Sequence, residues 1–267
     1  MAEKRFPKAR KRFGQNFLTD QNVIDDIVGA IDPKVGQHLV EIGPGRAAIT
    51  LPLLKNTDKL DVIELDRDLV PLLRAKLSEY SHLAVHEADA LSFDYRTLVT
   101  DGEKLRIIGN LPYNITTPLL FHLLEQAEII EDMCFMLQRE VVERICAEPG
   151  GKQYGRLSIM VQYQCQAELL FIVPPEAFEP VPKVESAIIY LQPLTNKVGG
   201  EVDIKALGKI VTQAFSQRRK TIANTLKKLV PLTLLESAGV KADQRPETIS
   251  VEQYVAITRA WLDTERD

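Results

Sequence analysis

The clearest fold signal in this 267-residue chain is the stretch Val40-Glu41-Ile42-Gly43-Pro44-Gly45. An apolar run around Leu39 precedes it and a helical pattern from Ala47 to Leu54 follows, which predicts a strand, a tight turn and a helix. Glycines let the backbone approach a ligand closely, and the first turn of a helix carries partial positive charge. The sequence therefore predicts a cofactor site at this turn.

A dinucleotide is a poor match to the turn. The third glycine of the GxGxxG pattern is missing from the run Gly43 to Ala48. Glu41, in the preceding strand, would repel a diphosphate, whereas it suits a ligand that carries cationic amino and sulfonium groups. We therefore expect Glu41, Gly43 and Gly45 to bind a cofactor of that charge.

Three further apolar runs each end in a polar residue. Glu64 follows residues 60–63, Asp89 follows 83–88 and Asn110 follows 105–109. Because the carboxyl ends of parallel strands share one edge of a sheet, these residues predict a ligand site along that edge. For each carboxylate taken alone, a helix cap or a solvated loop is the alternative.

The tetrapeptide Asn110-Leu111-Pro112-Tyr113 combines an amide, a rigid turn and an aromatic ring. The exocyclic amine of adenine is a poor nucleophile, so a methylating site has to re-hybridise its nitrogen. The Asn110 side-chain oxygen and a main-chain carbonyl of the Leu111-Pro112 turn would accept both hydrogens, while Tyr113 would stack on the purine. An ordinary strand-ending turn is the alternative, and four residues alone leave both open.

In these motifs the chain resembles the KsgA-type (RsmA) small-subunit rRNA adenine dimethyltransferases, which use S-adenosylmethionine. The resemblance implies an α/β Rossmann-like methyltransferase sheet with a smaller C-terminal all-α domain. It also implies N6-dimethylation of two adjacent adenines in the 3′-terminal hairpin loop of 16S rRNA. The motifs that carry it extend over nearly the whole chain: Arg12 to Leu18, Glu41 to Gly45, Glu64 to Asp66, Asp89-Ala90, Asn110 to Asn114, Phe178 to Val184 and Phe215 to Lys220.

The resemblance further implies which residues bind the cofactor and the base. Two positions depart from the family pattern, since many relatives have glycine where Ala47 stands and an apolar residue is common at Arg46. The cofactor's methionine and sugar would contact Gln15, Asn16, Leu18 and Gly43, its ribose Glu64, its adenine Asp89 and Ala90, and the target base Asn110 and Tyr113.

The segment Phe178-Glu179-Pro180-Val181-Pro182 is a candidate second wall of the base pocket. Its prolines limit loop entropy and would hold the Phe178 ring opposite Tyr113. A hydrophobic plug under the loop is the alternative that spacing alone favours. The family resemblance favours the wall.

Composition excludes several protein classes. The chain is 45% hydrophobic with a net charge of −4. No apolar stretch reaches membrane-spanning length and no hydrophobic region follows the basic amino terminus, so we expect a cytoplasmic protein. Cys134, Cys146 and Cys165 share no CxxC spacing and are expected to be reduced, and the histidines show no ligand spacing, so we expect no metal.

Positive charge is concentrated in two places. Residues 1–12 carry six Lys and Arg against one Glu, and Arg10, Lys11 and Arg12 adjoin the predicted cofactor segment, where we expect phosphate contacts. The cluster Arg218-Arg219-Lys220, with Lys227 and Lys228, is predicted on a helix, part of it as solvated surface. We expect small-subunit rRNA and a 30S-type ribosomal particle as partners, and a monomer.

The pattern of elements predicts three parts. Residues 1–18 form a basic arm and cofactor-lid segment, 19–195 a Rossmann-like methyltransferase domain, and 201–267 a C-terminal domain of four or five short helices that contacts RNA or the ribosome. Predicted strands lie near 39–42, 60–64, 83–87, 105–109, 133–137 and 184–191, and predicted helices include 19–31 and 139–147.

Other functions stay open at this point. A large-subunit rRNA methylase of the erythromycin-resistance type has a similar tetrapeptide, and the run Phe215 to Lys220 favours the small-subunit type. A DNA adenine methylase fits less well, because those enzymes usually carry a different first residue in the tetrapeptide. A ribosome-assembly factor with secondary catalysis is the alternative from another class.

Overall fold

The computed structural model describes residues 16–100, 102–217 and 219–264. Most of the predicted basic arm therefore lies outside the described residues. The same holds for five predicted site residues, whose roles stay predictions: Arg10, Lys11, Arg12, Gln15 and Arg218.

The chain divides into two compact units. The first extends to Val142 and resumes over Glu168–Pro193, while the second comprises Glu143–Ala167 and the chain from Leu194 onward. Residues 143–167 thus belong with the C-terminal helices, although the sequence placed them in the domain 19–195. Their helix has a fully buried apolar side and packs on the first helix of the C-terminal segment, which accounts for this placement.

A seven-stranded sheet is the centre of the first unit. The strands of the chain are β1 (Phe17–Leu18), β2 (His38–Ile42), β3 (Leu60–Glu64), β4 (Leu83–Glu87), β5 (Leu105–Asn110), β6 (Ile130–Gln138), β7 (Cys165–Val173), β8 (Phe178–Glu179) and β9 (Ser186–Pro193). The order in the sheet is β4-β3-β2-β5-β6-β9-β7. The pairs from β4 to β6 are parallel, and β9 runs antiparallel to β6. This architecture confirms the predicted α/β sheet.

Helices connect these strands and form most of the second unit. Asp20 caps α1, since its carboxylate accepts hydrogen bonds from the main-chain nitrogens of Asn22 and Val23. The helices are α1 (Gln21–Ile31), α2 (Thr50–Leu54), α3 (Val70–Lys76), α4 (Thr116–Leu124), α5 (Arg139–Ile145), α6 (Arg156–Gln162), α7 (Ile204–Ala214), α8 (Ile222–Leu226), α9 (Leu232–Ser237) and α10 (Val251–Thr264).

Several predicted boundaries differ from the structure. The helix predicted from Ala47 begins only at Thr50, because Ala47 has a left-handed φ of +65° that cannot belong to an α-helix. Strand β6 begins at Ile130 rather than residue 133, α5 ends at Ile145 rather than 147, and β9 begins at Ser186 rather than 184.

Strand β2 lies between β3 and β5, so the chain order reverses beside it. In open α/β sheets such a switch point opens a crevice at the carboxyl ends of the strands. Ile42 pairs with Gly109 at this place, and a Cβ on Gly109 would stand 2.5 Å from the Ile42 carbonyl oxygen. Glycine therefore allows the ends of the two central strands to approach closely, directly before Gly43 and Asn110.

The second unit is helical around a buried core. Helix α7 packs against α6, α8 and α10, and the predicted four or five short helices are α7 to α10 with a 3-10 turn at Pro246–Thr248. The helix predicted for the basic cluster is wrong for its described members. Arg219 and Lys220 lie in the turn between α7 and α8, where the Lys220 nitrogen bonds the Gln217 carbonyl.

Candidate active site

A cavity of about 370 Å³ opens at the carboxyl ends of the central strands. It contains every predicted cofactor and catalytic residue that the structure describes. These residues are Asn16, Leu18, Glu41, Gly43, Gly45, Glu64, Asp89, Ala90, Asn110, Leu111, Pro112, Tyr113 and Phe178. Arg219 and Lys220 are exposed in the second unit and do not line it.

The turn after β2 forms the floor of the cavity. Gly43 and Gly45 have φ values of +67° and +55°, a region that favours glycine. The Gly43 nitrogen donates to the Ile63 carbonyl at 2.9 Å, which ties the turn to β3. A Cβ at Gly45 would stand 3.3 Å from the Phe17 ring, so glycine lets this turn pack closely against β1 while both glycines line the cavity.

The two positions that depart from the family pattern are both accommodated. Ala47 adopts a φ of +65° and is fully buried, so its small side chain tolerates a place that glycine would suit better. The Arg46 guanidinium lies 4.1 Å from the centroid of the Phe17 ring, a cation–π contact. Arg46 therefore joins the turn after β2 to β1, and Arg46 and Phe17 both line the cavity.

Two main-chain amides hold the Glu64 carboxylate in place. The Gly45 nitrogen donates to Oε2 at 3.3 Å and the Asp66 nitrogen donates to Oε1 at 2.8 Å. Burial raises the pKa of Glu64 and these two bonds oppose the rise. Since each oxygen can accept a second hydrogen bond, the carboxylate can bind vicinal hydroxyl groups.

Glu41 is the most deeply buried carboxylate of the site, with 2% exposure. Burial raises its pKa to about 7, the Thr50 hydroxyl opposes that rise and the nearby Glu64 adds to it. Its Oε2 atom has no hydrogen-bond partner among the described residues. A buried carboxylate oxygen without a partner favours a cationic ligand group at this end of the cavity.

The loop after β4 carries Asp89 and Ala90. Asp89 lies exposed in this loop, where its Oδ1 atom accepts a hydrogen bond from the Leu91 nitrogen at 3.0 Å, and it lines the cavity as well. The solvated loop that was the alternative and the predicted edge of the ligand site thus occur together. The hydroxyl of the fully buried Tyr95 donates to the Ala90 carbonyl at 3.2 Å. Tyr95 therefore anchors this loop to the buried core of the unit.

Hydrogen bonds orient the acceptors of the tetrapeptide. The Asn110 Nδ2 atom donates to the Asn16 carbonyl at 3.3 Å, which leaves its Oδ1 atom as an acceptor. The Pro112 carbonyl accepts the Ile115 nitrogen at 3.1 Å at the start of α4. Of the two carbonyls of the Leu111-Pro112 turn, that of Leu111 is the one without a hydrogen-bond partner among the described residues.

The two aromatic residues predicted to flank the base both line the cavity. Tyr113 is half-buried, and its hydroxyl lies 3.0 Å from the Ser186 Oγ atom. Phe178 lines the cavity but is 97% buried and packs in the hydrophobic core with Leu18 and Ile188. The ring lines the cavity, as predicted for the second wall, and it also packs in the core, as the alternative hydrophobic plug would.

The segment around β1 closes this side of the site. Strand β1 pairs antiparallel with β8, with Leu18 opposite Phe178. The Thr19 nitrogen and hydroxyl both donate to the Ala177 carbonyl, at 2.8 and 3.2 Å. Residues 16–18 therefore form one wall of the cavity, and Thr19 anchors them to the Ala177 carbonyl.

Comparison with known proteins agrees with this geometry. The profile of the family described as "Ribosomal RNA adenine dimethylase" matches residues 6–262. This chain belongs to that family. Its methyl donor is accordingly S-adenosylmethionine, whose sulfonium and amino groups suit Glu41 and whose ribose hydroxyls suit Glu64.

The chain is also similar to individual named proteins. A protein of Nitrosococcus oceani named "Ribosomal RNA small subunit methyltransferase A" is 53% identical over 97% of this chain and 98% of its own length. A dimethyladenosine transferase of Plasmodium falciparum superposes with a TM-score of 0.78 at 25% identity, covering 90% of this chain and 95% of its own. The 23S rRNA methyltransferase ErmE gives 0.73 at 26% identity, covering 92% and 99%.

The sequence-based reasoning missed several residues of this dimethylase site. Phe17 and Arg46 line the cavity, and Tyr95 and Ser186 hold residues that do. Leu65, which follows Glu64, lines it with half of its apolar side chain exposed. Leu65 carried a usable signal, because it directly follows Glu64 at the carboxyl end of β3 and so lies at the same edge of the sheet.

Proposed function

We propose that this protein transfers methyl groups to N6 of two adjacent adenines in the 3′-terminal hairpin loop of small-subunit (16S) rRNA, a step of ribosome biogenesis. The observation that carries the proposal is the pair of acceptors at the end of β5. The Asn110 Oδ1 atom and the Leu111 carbonyl are free of the bonds that engage Asn110 Nδ2 and the Pro112 carbonyl.

Two acceptors at one edge suit the two hydrogens of an adenine amine. Accepting both favours a pyramidal nitrogen whose lone pair faces the methyl donor. S-adenosylmethionine supplies the methyl group from a sulfonium centre. The nitrogen becomes cationic as it is methylated and then loses a proton to water, so the site needs alignment rather than a strong base.

Cofactor and base would be held by different residues. We assign the methionine end of the cofactor to Gln15, Asn16, Leu18, Glu41, Gly43 and Gly45, its ribose to Glu64, and its adenine to Asp89 and Ala90. The target base would stack on Tyr113 with Phe178 as the second wall, and stacking worth about 1–3 kcal/mol per base would offset the cost of unstacking an adenine.

The choice of a small-subunit target is supported by the relatives. Identity to the small-subunit methyltransferase is 53%, against 26% to the 23S rRNA enzyme. Unpaired loop bases also suit a stacking site, since A-form helices hide base edges. Among the described residues, no helix has the length and apolar character needed to cross a membrane. We further propose a cytoplasmic, metal-free monomer.

RNA affinity would come from positive charge outside the cavity. We assign phosphate contacts to Arg10, Lys11 and Arg12 and to Arg218, Arg219 and Lys220, which would bind a 30S-type particle with little choice of sequence.

The test is nucleoside mass spectrometry after incubation with labelled S-adenosylmethionine. Unmethylated small-subunit particles, large-subunit RNA and duplex DNA are treated in parallel. We expect labelled N6,N6-dimethyladenine from the small-subunit sample alone. Label in large-subunit RNA or DNA would move the assignment to another methylase, and particle binding without label would indicate an assembly factor.

A further inference from the structure

The Tyr113 hydroxyl and the Ser186 Oγ atom share a hydrogen bond of 3.0 Å. Ser186 is only 1% exposed. A buried hydroxyl needs a partner, and Tyr113 is the partner that the described structure gives to this one. The contact therefore ties an aromatic ring of the cavity to a fixed point of the sheet.

The position of Ser186 is set by backbone pairing. Ser186 opens β9 and lies opposite Gln138 of β6. One residue earlier, the Glu185 carbonyl accepts the Arg139 nitrogen at 3.0 Å, and the Glu185 carboxylate accepts the Arg139 guanidinium at 2.9 Å. The Oγ atom is thus held where the first residue of β9 pairs with the last residue of β6.

The Tyr113 ring needs a fixed hydrogen-bond partner of this kind to keep a single orientation. Pro112 restricts the backbone before it, but the side chain keeps two rotatable bonds and is only half-buried. Stacking depends on the tilt and offset of the ring. The bond at the far end of the side chain fixes both angles, since the ring is rigid between Cβ and the hydroxyl.

We propose that Ser186 is a positioning residue that holds the Tyr113 ring against the target adenine and so governs the second methyl transfer more than the first. The inference rests on the proposed function, in which Tyr113 stacks on that base. An unmodified amine offers two hydrogens to Asn110 and Leu111, whereas a monomethylated amine offers one. With one hydrogen bond lost, alignment of the base depends more on the ring.

The experiment compares Ser186→Ala, Tyr113→Phe and the double variant on unmethylated small-subunit particles. The readouts are kcat, KM for particles, and the ratio of monomethyladenine to dimethyladenine. We expect each single variant to lower the rate of the second transfer about tenfold, the first transfer less, with monomethyladenine accumulating. KM for particles and the Kd for S-adenosylmethionine should stay within about twofold.

The double variant separates positioning from general loss of structure. Because both substitutions break the same bond, the rate of the second transfer in the double variant should be no lower than in the more impaired single variant. Thr57→Val is the matched control, since it removes a mostly buried hydroxyl of the same unit just before β3, away from the cavity. It should leave the product ratio unchanged.

Three outcomes overturn the inference: a normal product ratio in Ser186→Ala, effects that multiply in the double variant, or the same shift in Thr57→Val. If Ser186→Ala does not fold, Tyr113→Phe alone decides, because it breaks the bond at the half-buried partner. Absence of dimethyladenine from the unaltered protein would instead contradict the proposed function itself.

Discussion

The main-chain nitrogen of Gly45 donates a hydrogen bond to the Glu64 carboxylate across 3.3 Å. The bond links the cofactor turn after β2 to the end of β3, and with the Asp66 nitrogen on the other oxygen it aims the carboxylate into the cavity. A glutamine at position 64 would turn its NH2 group toward one of these two nitrogens, so that two hydrogen-bond donors would face each other.

Glu64→Gln should therefore raise the Kd for S-adenosylmethionine and for S-adenosylhomocysteine about tenfold or more, because one charge-assisted bond is lost. Calorimetric titration measures this directly. Glu87→Gln is the control, since Glu87 pairs in register with Glu64 on β4 and does not line the cavity. Equal Kd values for the Glu64 variant and the unaltered protein would remove Glu64 from the cofactor site.

Glu41 should make the stability of the cofactor-free protein depend on pH. Its folded-state pKa of about 7 lies above the ordinary 4.5, so between these values only the folded state keeps the proton. Stability then falls as pH rises from about 4.5 to about 7 and stays low above it. Glu41→Gln should remove this fall and stabilise the cofactor-free protein at pH 8 by roughly 1–3 kcal/mol.

The same substitution should weaken cofactor binding. A cationic ligand needs the ionised carboxylate, so affinity of the unaltered protein should drop below about pH 7, while Glu41→Gln should bind weakly at every pH. Thermal melts and calorimetry at pH 5, 6, 7 and 8 provide both readouts. Parallel pH profiles of the two proteins would contradict the assignment.

The sequence predicted the cavity because its signals are local. Apolar strands that end in Glu64, Asp89 and Asn110, and a glycine turn at Gly43, each show within a few residues what they form. Their meeting at one edge then follows from parallel pairing alone. No contact between distant residues had to be known.

The contacts that position these residues could not be predicted in this way. Tyr113 and Ser186 are 73 residues apart, and Asn16 and Asn110 are 94 apart, so neither pair leaves a spacing pattern. The helix start at Thr50 was missed because alanine gives no sign of the positive φ at position 47. The Ala47 nitrogen donates to the Pro44 carbonyl at 2.8 Å in a turn that these residue types do not announce.

Gly109→Ala should lower both stability and activity. The new Cβ would stand 2.5 Å from the Ile42 carbonyl oxygen, so β2 and β5 must separate, at a cost of about 1–3 kcal/mol. The displacement would reach Asn110 and reduce kcat. Gly29→Ala in α1 is the matched control, because a Cβ there meets nothing within 4 Å and alanine favours a helix.

Differential scanning calorimetry should show a lower Tm for the Gly109 variant and an unchanged or higher Tm for the Gly29 variant. Equal Tm values for the Gly109 variant and the unaltered protein would mean that the two strands are free to separate at this point.

The exposed basic residues of the second unit should contribute to salt-sensitive RNA binding. Replacing Arg219 and Lys220 by alanine should reduce the slope of log K against log salt by about 1.5, as expected for two phosphate contacts. The slope is measured from binding to small-subunit particles at salt concentrations from about 50 to about 200 mM, a range over which phosphate contacts lower the affinity measurably. Lys34→Ala, in the first unit, is the control, and an unchanged slope in the double variant would mean that neither residue contacts phosphate.

Asn110→Ala tests the acceptor pair directly. Loss of the Oδ1 acceptor should lower turnover on small-subunit particles at least about a hundredfold, since one group that stabilises the transition state is gone. The Kd for S-adenosylmethionine should change only a few-fold, because our proposal assigns the other parts of the cofactor to Glu41 and Glu64. Single-turnover methylation and calorimetry measure the two quantities.

Asn110→Asp separates accepting from orienting. The carboxylate can still accept hydrogens, but it cannot donate to the Asn16 carbonyl, which the present amide does at 3.3 Å. Its turnover should lie between those of Asn110→Ala and the unaltered protein. Asn56→Ala, which removes an exposed amide bonded to the Pro52 carbonyl, should leave turnover unchanged. Near-normal turnover of Asn110→Ala would show that the hydrogens of the amine are accepted elsewhere, and the role of the tetrapeptide would then reduce to the Tyr113 ring.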